Sequence, residues 1–244
     1  MKQKSMNPPL RLLIDESARD PSAKIWYALP RGYVDVPLDA LDAEPGSEYE
    51  AQLDNVMALI ADCAPESERA RYVGALRDVR YMVRQMQSEG VIGCSLGMHH
   101  ADNGSSAVSV VTVALRDIEW APPKLTVVRA VSLRECSENV ALLALPGGRP
   151  GTVSDTLVTM PAIAGNPAQE LYQCNLYIAA PSGVQLAVLT LSTTAVGSRK
   201  HYRELMEGIA YTVSFSNPMP EIERAARDDG AGGDIRDCIT ADFG

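Results

Sequence analysis

Apolar and polar positions change their period within residues 171–215, which predicts a β-hairpin followed by a helix. Leu171–Ala179 and Val184–Ser192 have the composition of strands. The short connection between them contains Pro181, which presets the geometry of a turn, and Gly183, which has the freedom to close it. A stretch with apolar positions three and four residues apart then follows, typical of an amphipathic helix.

The helix is predicted over Ser198–Val213, with Ser198 as its N-cap. In the first strand of the hairpin, Gln173 and Asn175 lie on the face opposite to the mainly apolar one. The second strand is apolar at nearly every position, as expected for an interior strand covered on both faces. Gln173 and Asn175 have no catalytic residue type near them in sequence. We therefore interpret the hairpin as core structure and expect binding surfaces to lie elsewhere.

Further strands and two early helices complete the pattern. Asn103 and Gly104 predict a tight turn between two strand-like runs. The other strand-like runs are Lys24–Leu29, Tyr33–Val36, Val91–Met98, Ala107–Leu115, Lys124–Leu133, Ala141–Leu145 and Thr152–Met160. Helices are predicted at 48–63 and 65–89. Because helices cluster early and late and do not alternate with strands, the chain is predicted to be α+β, with a mainly antiparallel sheet of about seven strands and helices packed on it.

The predicted organisation is one domain with two polar ends. Residues 1–23 form a polar lead-in, and residues 24–217 form a single α+β domain that includes the helical pair at 48–89. Residues 218–244 form an acidic tail, in which residues 221–244 hold seven acidic residues and three arginines. We expect this tail to be flexible or loosely packed.

Composition and charge narrow the functional classes. The net charge of −9 over 244 residues argues against a nucleic-acid-binding surface, which relies on Lys and Arg to neutralise phosphates. Neither an apolar signal core nor a stretch as long as a membrane span is present, so no membrane insertion is expected. Five cysteines, none in a C-x-x-C pair, are typical of reduced thiols. The expected location is cytoplasmic.

The arrangement of these elements resembles a known family. A strand that ends in Ala-Leu-Pro-Arg-Gly-Tyr at residues 28–33, helical segments, a meander, the hairpin and a last helix resemble the PsbP-like α/β/α sandwich, over roughly residues 24–215. More narrowly, the arrangement resembles uncharacterised actinobacterial proteins of this type, some encoded near type VII secretion genes. The resemblance implies a non-enzymatic, protein-binding or accessory role, with an unidentified protein partner, and supplies no catalytic residues.

An alternative function rests on Gly93–Gly97, which matches the G-x-S-x-G motif of serine hydrolases. Ser95 would be the nucleophile, and Asp155 and His201 follow in the chain order of a catalytic triad. In such hydrolases a helix follows the serine, whereas here a predicted hairpin turn follows it. We therefore predict a non-enzymatic protein and keep a serine hydrolase using Ser95 as the alternative. An ester-substrate screen with a Ser95→Ala control discriminates between them.

Two other motifs are interpreted as turns. His99 and His100 are adjacent, and adjacent strand residues point to opposite faces, so they are poorly placed to share a metal ion. Gly147–Gly151 lacks the Lys-Ser/Thr ending of a phosphate-binding loop, so a tight turn between two strands is expected there. The sequence therefore predicts no metal site and no cofactor.

Overall fold

The structure, a computed structural model, describes residues 12–14, 23–36, 90–100, 106–132, 138–160 and 169–228, together with isolated positions between 38 and 66. The chain divides into two compact units. The larger comprises residues 32–206, and the smaller comprises residues 1–31 and 207–244. The predicted helical pair at 48–89 and the predicted turn at 103–104 lie outside the described residues, isolated positions of the first helix apart.

The larger unit is built on a seven-stranded sheet in which every neighbouring pair is antiparallel. Its strands are β3 (Tyr33–Asp35), β4 (Val91–His100), β5 (Ser106–Asp117), β6 (Glu138–Leu145), β7 (Arg149–Met160), β8 (Gln169–Ala179) and β9 (Gln185–Thr193). They lie in the order β3-β4-β5-β9-β8-β7-β6. This sheet, with helices packed on it, confirms the predicted α+β class.

The predicted hairpin is confirmed as the pair β8 and β9 at the middle of the sheet. Leu176 lies opposite Leu189, and both side chains are fully buried. The hairpin of β4 and β5 is confirmed too. Strand β9 buries apolar residues on both faces of the sheet, Leu186 on one and Leu189 on the other, which accounts for its nearly continuous apolar run.

Residues 123–132 are helical, so the predicted strand at Lys124–Leu133 is wrong. The helix α1 (Pro123–Ser132) begins at a proline, whose missing N–H is tolerated in a first turn. Val127 and Val131, one helical turn apart, are buried and pack against Tyr177 and Leu186 of the sheet. The valines suggest a strand by propensity, but this packing on one helix face outweighs it.

The smaller unit contains short strands and a terminal helix. Strand β1 (Leu12–Ile14) pairs antiparallel with β2 (Ala28–Pro30). The strand predicted at Lys24–Leu29 is therefore shorter and begins later in the chain. Trp26, which precedes β2, forms an isolated antiparallel bridge with Ser214. Helix α2 (Arg199–Thr212) confirms the predicted helix and continues from the larger unit into the smaller one.

The helix α3 (Met219–Asp228) lies in the first part of the predicted acidic tail. The Asn217 side chain accepts a hydrogen bond from the Met219 N–H, and Glu221 lies in the positively polarised first turn, which together favour a helix start. Residues 229–244 lie outside the described residues. Of the helices in the described part of the chain, none is both long and apolar enough to cross a membrane.

Candidate functional site

The G-x-S-x-G match lies wholly within strand β4, whereas a nucleophile elbow lies between a strand and a helix. Ser95 is 1% exposed, and its hydroxyl donates a hydrogen bond to a carboxylate oxygen of Asp35 on the adjacent strand β3. Asp35 is directly opposite Ser95 in the pairing of the two strands. Ser95 therefore joins β3 to β4 through a side-chain hydrogen bond.

Gly97 has a structural role in the same strand pair. Tyr33 of β3 lies opposite it, and a Cβ atom at position 97 would lie 2.6–2.8 Å from the Tyr33 ring. The Tyr33 hydroxyl is 2.7 Å from the Ser109 Oγ, on the next strand. The tyrosine ring thus lies directly over position 97, where only glycine, which has no Cβ, leaves room for it. Pairing of β3 with β4 accounts for both the serine and the second glycine of the motif.

Cys94 is buried beside this serine, and burial, assisted by the negative charge of Asp35, raises the pKa of its thiol to about 12. We expect iodoacetamide at pH 8 to leave Cys94 unmodified in the folded protein, because the thiolate is the reactive form. Peptide mapping by mass spectrometry checks this, with protein unfolded in urea as the control. Rapid labelling of folded Cys94 would contradict the expectation.

The same pKa predicts a loss of stability at high pH. The thiol of the unfolded chain loses its proton near its ordinary pKa of about 8.5, whereas Cys94 in the folded protein keeps it. This site therefore contributes less stability as the pH rises from about 9 towards 12.

Asp155 is the centre of a buried polar cluster on strand β7. It is 8% exposed, and Arg203 of helix α2 lies 2.9 Å from its Oδ2. The Tyr172 hydroxyl donates to the same oxygen at 3.2 Å, and the Asn139 amide donates to Oδ1 at 2.8 Å. One carboxylate thus contacts side chains from strands β6 and β8 and from helix α2.

Two features of this cluster show how it is built. Asn139 has a positive φ of 46° and lies at an irregularity in the pairing of β6 with β7. Asn tolerates this left-handed conformation better than most residues, and here it directs the amide to Asp155. Burial, followed by the charges of Cys174 and Asp155, raises the pKa of Tyr172, so its hydroxyl stays a donor. The cluster joins helix α2 to the sheet, because three elements meet at one carboxylate.

The structure does not bring Ser95, Asp155 and His201 together. Four strand spacings separate β4 from β7 in the sheet order, about 19 Å at the usual spacing between strands. His201 is exposed, and its ring contacts the edge of the Tyr202 ring. Asp155 is paired with Arg203, two residues beyond the predicted histidine. Sequence reasoning missed Arg203 because no local signal links it to a strand 48 residues earlier.

The other motifs have simple structural places. Pro146–Gly148 forms a single 3-10 turn between β6 and β7, in which Gly147 and Gly148 have positive φ. The turn predicted at Gly147–Gly151 is therefore present but shorter, because residues 149–151 already belong to strand β7. His99 and His100 are the last two residues of strand β4, paired with Ala107 and Ser106, so the turn predicted at these positions is wrong. Within the described part of the chain, no group of three or more His, Cys, Asp or Glu side chains is arranged to hold a metal ion.

Strand β6 is the last strand at one side of the sheet, paired among the described strands with β7 alone. Its apolar side chains alternate in exposure, with Leu142 69% exposed and Val140 51% exposed. The strand Glu138–Leu145 contains neither lysine nor proline. Native sheets usually protect an edge with such residues, with a bulge or with a very short strand. Of these, β6 has only the irregularity between Glu138 and Ala141 at its start, and the run from Ala141 to Leu145 is regular.

Comparisons with known proteins leave the family open. No model of a known protein family matches this chain. No curated protein matches it either.

Proposed function

We propose that the protein is a non-enzymatic, protein-binding module that adds an extended segment of a partner to its sheet at strand β6. The observation that carries this proposal is the exposed apolar edge at Val140 and Leu142, beside an unpaired row of backbone groups among the described strands. In strand addition, main-chain hydrogen bonds supply affinity and alternate side chains supply specificity.

The chemistry of β6 defines the partner segment. It would be extended, with apolar residues at alternate positions to cover Val140 and Leu142. The net charge of −9 favours basic residues on either side of that segment, because complementary charge speeds association and rejects acidic competitors. A cytoplasmic accessory protein of the PsbP-like type, linked to a type VII secretion system or to a neighbouring effector, would fit this description. The resemblance in sequence supports that assignment.

A Leu142→Lys variant tests the proposal. We expect it to reduce capture of the partner from a lysate of the native host by about tenfold or more, since a large apolar side chain at the centre of an interface contributes strongly. Quantitative mass spectrometry of material bound to tagged protein measures the capture. The free energy of unfolding of this variant is expected to stay within about 0.5 kcal/mol of that of the natural protein, because Leu142 is exposed.

Val184→Lys is the matched control, since Val184 is also exposed, at 41%, but lies beside β9 instead of β6. Capture by this control should be unchanged. Equal capture by both variants, or the absence of any stoichiometric partner for the natural protein, would contradict strand addition at β6.

A further inference from the structure

The outer edge of strand β6 presents the backbone groups of alternate residues. The Ala180 N–H donates to the carbonyl of the first residue of β9, so Ala180 directs its backbone groups towards β9. Successive strand residues direct these groups to opposite sides, and the pairing of β9, β8, β7 and β6 carries the alternation across the sheet. Ala141 and Leu143 therefore direct their N–H and C=O groups towards β7, whereas Leu142 and Ala144 direct theirs away from it.

The side chains along this edge are apolar and open to solvent. Leu142 is 69% exposed, Val140 is 51% exposed, and Ala144 is exposed as well. No residue from Val140 to Leu145 carries a charge. An edge of this kind is a template for another strand. A strand that covers it must itself be extended, apolar and uncharged where it pairs.

Strand β6 meets these requirements itself. When two copies run antiparallel about a two-fold axis at Leu142, the two Leu142 residues face each other and exchange both backbone hydrogen bonds. Val140 of one copy then lies opposite Ala144 of the other, and Ala141 lies opposite Leu143. Each of these pairs combines a larger side chain with a small one, on both faces of the sheet. The edge is therefore complementary to itself in backbone groups, in side-chain size and in the absence of like charges.

We propose that β6 pairs with β6 of a second copy of this chain, so that two seven-stranded sheets join edge to edge. Resting on the proposed function, self-pairing regulates partner binding, because it occupies the backbone groups that the partner segment needs. Each copy carries a net charge of −9, which repels the second copy and attracts a basic segment. The second copy thus covers the edge until the partner segment displaces it.

Cysteine cross-linking tests the register. We expect Leu142→Cys to form a disulfide between two copies under mild oxidation, since Cα atoms of a hydrogen-bonded antiparallel pair lie about 5.5 Å apart, within disulfide range. Val140→Cys is the matched control at another exposed position, because its two copies would lie four residues apart along the strands, about 13 Å. A mixture of Val140→Cys and Ala144→Cys should form the mixed disulfide. Non-reducing gels measure the yields against the natural protein, and equal yields from Leu142→Cys and Val140→Cys would overturn the proposal.

Sedimentation equilibrium tests the dimer in the natural protein without any oxidant. We expect a monomer–dimer equilibrium at concentrations below about 1 mM, shifted towards the dimer by salt, which screens the repulsion between the two copies. Leu142→Lys should raise the dissociation constant about tenfold or more, because two lysines would face each other at the axis. Val184→Lys, beside β9, should leave it unchanged. A natural protein that stays monomeric up to about 1 mM would overturn self-pairing.

Self-pairing and partner binding can fail separately. If the natural protein is monomeric but Leu142→Lys still reduces capture of a partner, self-pairing is overturned and strand addition by the partner stands. If the dimer forms in the expected register but no stoichiometric partner is captured, self-pairing stands and the proposed function is overturned.

Discussion

Replacing Asp155 with alanine is expected to lower the free energy of unfolding by about 3 kcal/mol, the largest effect of any single substitution considered. The reason is the state of Arg203, whose side chain is only 20% exposed and would keep its charge without the carboxylate. Tyr172 and Asn139 would lose the same acceptor. Chemical denaturation followed by circular dichroism measures the change.

The exposed ion pair between Lys200 and Glu204 on the same helix is the control. Glu204→Ala should change stability by no more than about 0.5 kcal/mol, because a pair in water gains little over its hydration. A double variant, Asp155→Leu with Arg203→Leu, should recover much of the loss, since no charge is left buried. If Asp155→Ala changed the free energy of unfolding as little as Glu204→Ala does, the cluster would not stabilise the contact of helix α2 with the sheet.

The second large effect is expected at Gly97, where alanine should reduce the free energy of unfolding by about 1–3 kcal/mol. The added Cβ would lie 2.6 Å from an atom of the Tyr33 ring, and that ring is held by its hydrogen bond to Ser109. Because β3 contains only three residues, displacement of Tyr33 should detach much of the strand. Chemical denaturation measures the loss of stability, and faster hydrogen exchange at the Val34 amide would report the detachment of β3.

A double-mutant cycle isolates the contact. In a Tyr33→Ala background, Gly97→Ala should cost clearly less than in the natural protein, because the clash is gone. Gly208→Ala in helix α2 is the matched control, since no atom lies within 4 Å of its added Cβ, apart from chain neighbours and the helix backbone. That change should raise stability by about 0.5–1 kcal/mol, as expected for alanine in a helix interior. If Gly97→Ala lowered the free energy of unfolding by the same amount with and without Tyr33, the Tyr33 ring would not be the reason for glycine at position 97.

Much of the local structure could be predicted because it depends on short-range periodicity. Helix α2 begins and ends within one residue of the predicted Ser198–Val213. The strand predicted at Lys124–Leu133 was wrong because valine-rich segments fit either element, and the contact of Val127 and Val131 with the sheet decides between them. Tertiary packing, which the local pattern does not contain, determined that helix.

Which side chains meet across the sheet depended on register far more than on composition. Gln173 and Asn175 have no chemically related neighbours along the chain, but pairing with β7 and β9 places Ser154, Thr190 and Ser192 beside them. The G-x-S-x-G match points to Ser95 as a nucleophile, and only the pairing of β3 with β4 explains its residues structurally.

The sequence by itself determined the central hairpins and helix α2, because each follows from the spacing of apolar residues within one segment. The α+β class follows from the order of these elements along the chain. Only the tertiary structure decided which polar side chains meet. Asp155 and Arg203 are 48 residues apart, and Asp35 and Ser95 are 60 apart. The physical reason is that strand order and register are set by burial over the whole sheet, where a shift of one residue would move every side chain to the other face.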